Sequence, residues 1–96
     1  MAAYIIARIN VKDPDTYKKY TAQTPNLVAQ FGGRFIVRGG RMELLEGDNP
    51  ELSRTILIEF PSYEQAQTFY HSPEYQDIVK LRWQASDGQL VLVEGV

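Results

Sequence analysis

The chain has no cysteine. That single absence removes disulfides, thiolate zinc sites and cysteine nucleophiles together. Histidine occurs once, at His71, so one chain cannot assemble a multi-histidine site and no metal is expected. Positive charge is not in surplus: Lys+Arg is 10 against 12 Asp+Glu, for a net charge of −2. A phosphate-tracking protein usually carries a basic excess, so nucleic acid is not an expected partner. No apolar run approaches the roughly 18 residues that span a bilayer, so no membrane partner is expected. The first residues lack a basic region, and the apolar run Tyr4 to Ala7 stops at Arg8. No signal peptide is therefore expected, and the expected location is cytoplasmic. Repeats, linkers, Gly-x-Ser-x-Gly elbows and phosphate-binding glycine loops are missing too.

What remains reads as one globular domain over residues 1–96. The apolar fraction is 44% and the charged fraction 23%, which separates the chain from disordered sequences. Size scaling allows roughly 65% of the unfolded surface to be buried, enough for one core of marginal stability unless a second subunit adds to it.

Tyr4 to Val11 is short and β-branched, and it reads as a strand. Asp13-Pro14 opens a helix, with Asp13 as N-cap and Pro14 at the first helical position. Tyr17, Tyr20, Thr24, Leu27, Val28 and Phe31 recur at helical spacing, and Pro25 predicts a break near Ala22 to Thr24. Gly32-Gly33 closes the helix. Arg34 to Arg38 is a second strand. Gly39-Gly40 interrupts it, as a bulge, bend or close approach, and Arg41 to Gly47 continues it. Gly47-Asp48-Asn49-Pro50 is a turn. Arg54 to Phe60 is the clearest strand and forms a hairpin with the second. Ser62 and Gln65 have capping-box spacing, and Ala66, Phe69 and Tyr70 follow as an apolar stripe. Ser72-Pro73-Glu74 restarts the helix, placing Tyr75, Ile78, Val79 and Arg82 on one face. Asp87-Gly88 is a turn before a last strand, Gln89 to Glu94. The order β-α-β-β-α-β predicts an α+β, ferredoxin-like fold: a four-stranded antiparallel sheet with both helices on one face. The other face then needs cover, which a second copy of the chain would supply.

Five residues are candidates for a ligand site: Arg38, Glu59, Tyr70, Tyr75 and Arg82. Arg38 sits before two glycines, where a guanidinium beside an open backbone suits a carboxylate or enolate. Alternatively it pairs with Glu59 or Glu94 across the sheet. Arg82 falls on a core-facing stripe, and a buried arginine needs a partner. That partner is Glu59, Glu94 or a bound anion, unless the side chain snorkels to water. Tyr70 and Tyr75 flank the Ser72-Pro73 break, as hydrogen-bond donors to a ligand or as core aromatics with a polar tip. Glu59 could abstract a proton, or it could neutralise Arg8, Arg38 or Arg82. His71 points away from the Ala66 to Tyr70 stripe and reads as exposed.

Arg38-Gly39-Gly40, Leu45-Glu46-Gly47, Glu59-Phe60-Pro61-Ser62 and Tyr70-His71-Ser72-Pro73-Glu74-Tyr75, followed by Arg82, stand in an order that resembles the family known as domain of unknown function 1330. The resemblance runs from Tyr4 to Gly95. It implies a dimeric α/β barrel, in which two ferredoxin-like protomers pack sheet to sheet as a homodimer. Architectures of that kind serve cofactor-free monooxygenases, haem-degrading enzymes, muconolactone isomerase and ligand-sensing domains, while the family itself has no established reaction. Asn10, His71 and Trp83 match residue types used by some of those relatives but not their positions, so no role is carried over.

Three functional expectations follow. The first is a homodimer that binds a small anionic or carbonyl-containing organic ligand between sheet and helices, without a cofactor, as a binder or as an oxygenase or isomerase. The second is a structural or regulatory homodimer without catalysis. The third, more remote, is a haem-handling protein.

Overall fold

The computed structural model describes residues 1–48 and 54–96. Its elements are β1 (Ala3–Val11), α1 (Pro14–Thr21), α2 (Thr24–Gln30), β2 (Arg34–Arg38), β3 (Arg54–Phe60), α3 (Tyr63–His71), α4 (Pro73–Ala85) and β4 (Ser86–Glu94). The strands form one antiparallel sheet in the order β2-β3-β1-β4. This is the expected α+β arrangement, with each helix of the βαββαβ pattern broken in two.

The breaks fall where local chemistry puts them. Asp13 caps α1, its carboxylate accepting from the Thr16 N–H at 3.3 Å and from the Thr16 hydroxyl at 2.7 Å. Pro25 lies in the first turn of α2, where its missing N–H costs least. The N–H groups of Gly32 and Gly33 satisfy the carbonyls of Ala29 and Val28 at the end of α2. Ser72 serves two helices at once. Its hydroxyl donates to the Phe69 carbonyl at 2.7 Å, closing α3, and accepts from the Tyr75 N–H at 3.1 Å, opening α4. The expected capping box at α3 is half formed. Ser62 Oγ accepts from the Gln65 N–H at 3.1 Å, but the Gln65 amide donates to the Phe31 carbonyl and ties α3 to the end of α2.

Strand alternation sorts the sheet into two faces. Ala3, Ile5, Ala7 and Ile9 of β1 and Ile56, Ile58 and Phe60 of β3 are buried, and with Tyr17, Tyr20, Val28, Phe69, Tyr75 and Val79 from the helices they make the core. On the opposite face Val37, Val91 and Val93 remain exposed.

Three expectations need correction. The predicted strand Arg41 to Gly47 is not a strand in its described part: Gly39, at φ +69°, turns the chain out of extended geometry right after Arg38. The bulge lies earlier than the glycines, between Phe35 and Val37, leaving Ile36 unpaired. The final strand starts at Ser86, directly after α4, so Asp87-Gly88 is paired strand opposite Asn10 and Ile9 rather than a turn. Ser86 closes α4 by donating to the Arg82 carbonyl at 2.7 Å. A side chain at position 88 would collide with the Arg8 carbonyl, which explains the glycine there. The predicted turn at 47–50 extends beyond the described residues at Asn49 and Pro50.

Candidate functional site

A cavity lies between the inner sheet face and the helices. Its floor is aliphatic, from Ile5, Ala7, Ile9, Ile56 and Ile58. Its polar groups include three arginines, three tyrosines and two threonines: Arg38, Arg54, Arg82, Tyr17, Tyr20, Tyr75, Thr21 and Thr24. No acidic residue among those described lines it. The space open to the centre of a water molecule is about 30 Å³, and the walls stand a water radius further out. It takes a small molecule, not an extended one.

Each side chain arrives by a local cause. Tyr17 and Tyr20 lie three apart on α1, so both face the sheet, with rings 5.8 Å apart. Tyr75 is the third residue of α4, fixed by the Ser72 cap just before it. Arg82 follows Tyr75 by seven residues, two turns on along the same face. Arg54 is the first residue of β3 and shares the inward parity of Ile56 and Ile58. Arg38 reaches the inner face through the bulge. With Ile36 unpaired, Val37 opposes Leu57 and Arg38 opposes Ile56, whereas unbroken alternation from Phe35 would have sent Arg38 outward.

Tyr20 and Tyr75 bring their hydroxyls to 2.6 Å. Each phenol carries one proton, so one hydroxyl donates to the other and the pair keeps one proton for a further acceptor. Burial raises the pKa of Tyr20 well above 10.0, with the neighbouring Tyr75 adding to the effect. Burial also raises Tyr75, and the Arg82 charge opposes that rise. Both phenols are therefore neutral donors at ordinary pH. Arg82 is 7% exposed, and its guanidinium carbon lies 6.0 Å from the Tyr20 ring centre. Burial pulls its pKa down, Tyr75 and Tyr20 push it up, and the net direction is up, so it stays a cation. Arg54 stands 5.8 Å from the Tyr17 ring. Arg38, exposed at the rim, stacks on Phe35 at 4.8 Å.

Among the described residues, three buried polar side-chain atoms have no hydrogen-bond partner: Tyr17 Oη, Arg54 Nε and Arg82 Nε. All belong to residues of this one cavity. Among the described residues, the ion pairs are Lys12 with Asp87 and Arg34 with Glu59, so Arg38, Arg54 and Arg82 face the cavity without a carboxylate. Unsatisfied buried donors are rare and expensive, and several in one place mark a missing acceptor.

Of the five residues singled out from sequence, the cavity collects Arg38, Tyr75 and Arg82. Tyr70 stands just outside. Its ring is 5.4 Å from that of Tyr75, and it lines two shallower clefts along β4, one of which it shares with Arg82 and Trp83. Glu59 is on the other face of the sheet. Its Oε1 accepts from Arg34 Nε at 2.8 Å and its Oε2 from the Tyr4 hydroxyl at 3.4 Å. It is neutralised, as one reading held, but by Arg34 rather than Arg8, Arg38 or Arg82. The alternative ion pairs of Arg38 and Arg82 with Glu59 or Glu94 are not formed. His71 is exposed, and it lines a different cleft from Trp83.

Sequence reasoning passed over Arg54, Tyr17 and Tyr20. Arg54 was visible by parity with Ile56 and Ile58. The tyrosines were visible as a helical stripe but carried no mark separating them from ordinary core aromatics.

The comparisons with known proteins agree with this architecture. The chain belongs to the family described as Domain of unknown function (DUF1330), whose model matches residues 2–96. No curated protein matches the sequence. Among solved structures, a protein of unknown function from Rhodopseudomonas palustris aligns with a TM-score of 0.77 at 19% identity, covering 99% of this chain and 82% of that one. SnoaB, a cofactor-independent oxygenase from Streptomyces nogalater, aligns with a TM-score of 0.66 at 14% identity, covering 99% and 93%. An antibiotic biosynthesis monooxygenase aligns at 0.55 and 18% identity, covering 100% and 99%. At these identities the likeness establishes a shared ferredoxin-like fold, of the dimeric α/β barrel type. The DUF1330 cavity must be read from its own residues. Among the described residues no helix is long and apolar enough to cross a membrane, and no acidic or histidine cluster could hold a metal.

Proposed function

We propose that this DUF1330 protein binds a small organic anion, or a carbonyl compound as its enolate, between the sheet and the helices. The observation that carries the reading is that Tyr17 Oη, Arg54 Nε and Arg82 Nε, all buried and unpartnered, belong to residues that line one cavity, to which the described residues bring no acid. Three cations and a neutral phenol pair supply what an oxyanion needs: charge, and donors already in place. Arg38 at the rim adds attraction for an incoming anion. Thermal unfolding with a panel of short carboxylates and oxo acids tests this. A ligand at ten times its Kd adds about 1.4 kcal/mol, or about 6–11 °C for a domain of this size. Absence of any shift, with no small molecule retained in native mass spectrometry, overturns it.

The protein acts as a homodimer in this reading. The exposed valines of the outer sheet face support a sheet-to-sheet partner, since such a face is otherwise left in water. A monomer in native mass spectrometry at micromolar concentration refutes that part.

A second reading, a cofactor-independent oxygenase or an isomerase, has the support of the SnoaB fold likeness. The cavity offers oxyanion stabilisation to such a reaction, but the described residues that line it include no carboxylate or imidazole to take a proton. Oxygen uptake with an enolisable substrate that ionises unaided would favour this reading. A non-catalytic regulatory homodimer is the alternative if binding is found and turnover is not.

A further inference from the structure

The cavity's two buried cations arrive from different elements, and each lies over a different tyrosine ring. Arg54 comes from β3, on the β2 side of the central strand β1, and pairs with Tyr17 at 5.8 Å. Arg82 comes from α4, which runs straight into β4 on the other side of β1, and pairs with Tyr20 at 6.0 Å. The Tyr17 and Tyr20 rings stand 5.8 Å apart. Each arginine keeps an unpartnered Nε, Tyr17 Oη is unpartnered as well, and the Tyr20 and Tyr75 pair has one proton left over.

We propose that the ligand carries two acidic oxygen groups and is a short dicarboxylate or its dianionic equivalent, with one group on Arg82, Tyr20 and Tyr75 and the other on Arg54 and Tyr17. This rests on the anion-binding reading above and specifies its substrate class. Among the described residues no acidic side chain lines the cavity, so two negative charges meet no carboxylate there. The small cavity limits the link between the two groups to a few atoms.

The test uses malonate, succinate and glutarate against acetate, propionate and butyrate, by isothermal titration of the full chain at fixed salt and protein concentration. The second charge-assisted contact predicts that the best dicarboxylate binds about 10–100-fold tighter than the monocarboxylates. Arg54→Gln should cancel that advantage, weakening the dicarboxylates about 10–100-fold and the monocarboxylates by a smaller factor. Circular dichroism and the urea midpoint confirm that the variant is folded, and Arg54→Lys, which keeps the charge, should recover part of the advantage. Equal affinity for the two series overturns the two-headed ligand and leaves the anion site standing. An equal loss for both series in Arg54→Gln also overturns it, because the two arginines would then share one group. No binding of either series at millimolar concentration overturns this proposal and the reading beneath it.

Discussion

Replacing Arg82 by methionine separates a ligand-binding arginine from a structural one. Arg82 is 7% exposed, and among the described residues it has no carboxylate partner. Breaking a buried ion pair costs about 3–5 kcal/mol, because the abandoned charge stays behind. Here there is no abandoned charge. The variant loses a cation–π contact with Tyr20 worth about 0.5–2 kcal/mol and the hydrogen bonding of its guanidinium to Tyr75 and Tyr20, about 1.5–3 kcal/mol. It sheds an unsatisfied buried donor that burdens the folded state by about 1–3 kcal/mol. Methionine keeps an unbranched apolar stem along the same path, so the packing change is small. The central values leave a net loss of about 1–2 kcal/mol, or about 4–16 °C in Tm. Binding responds differently: losing a charge-assisted hydrogen bond of about 1.5–3 kcal/mol weakens an anionic ligand about 10–150-fold. Urea denaturation at fixed protein concentration, paired with titration of the best-binding carboxylate, reads both quantities. A stability loss above about 3 kcal/mol with unchanged affinity would show Arg82 to be structural and defeat the argument.

Other consequences are equally specific. Burial raises Tyr20 well above 10.0, so the unfolded chain releases this proton first as pH rises. The stability it contributes is complete below about pH 10 and is lost above it as the folded pKa is approached. The urea midpoint should therefore fall above about pH 10, and Tyr20→Phe should flatten that fall; an unchanged slope counts against the buried pair. Gly39→Ala places a methyl group against the Arg54 guanidinium at φ +69°, for an expected loss of about 1–2 kcal/mol and weaker anion binding. Gly40→Ala, with open space around it, should change stability by less than about 0.5 kcal/mol, and equal urea midpoints for the two variants would contradict the assignment. Ser72→Ala removes the hydroxyl that closes α3 and opens α4. It should lower stability by about 1–2 kcal/mol in urea denaturation, and a smaller effect would mean that water replaces both bonds.

The helix breaks were legible because their causes are local. Pro25 and Ser72-Pro73 act within one turn of where they stand, and any tertiary structure must accommodate them. Arg82 was legible for a similar reason, since helical spacing from Tyr75, Ile78 and Val79 assigns its face. Arg38 was found for an incomplete reason. The glycines after it suggested an open backbone, yet Gly39 gives its space to Arg54, and Arg38 faces inward only because Ile36 is skipped in the ladder. Nothing in Arg34-Phe35-Ile36-Val37-Arg38 distinguishes a bulged from a regular strand, because the choice is made by pairing with β3. Glu59 shows the same dependence: its partner Arg34 follows from the register that sets Arg34 opposite Glu59. The Tyr20 and Tyr75 contact joins residues 55 apart and exists only once α1 and α4 pack.

The site is built to hold charge rather than to move a proton, and that limits the chemistry open to it. Its arginines are cations, and burial keeps Tyr20 and Tyr75 protonated, so neither phenol of that pair serves as a base near neutral pH. A fixed cation within about 4–6 Å lowers the pKa of a bound acid by about 1–3 units. A shift of that size ionises a ligand that is already acidic near neutrality, such as an enol flanked by two carbonyls, and leaves a simple ketone untouched. Any turnover in this cavity therefore takes its driving acidity from the ligand, with the protein supplying position and a preorganised field. A ligand without acceptor oxygens has nothing to offer Arg54 and Arg82, whose unpartnered donors would stay as costly with it as without it.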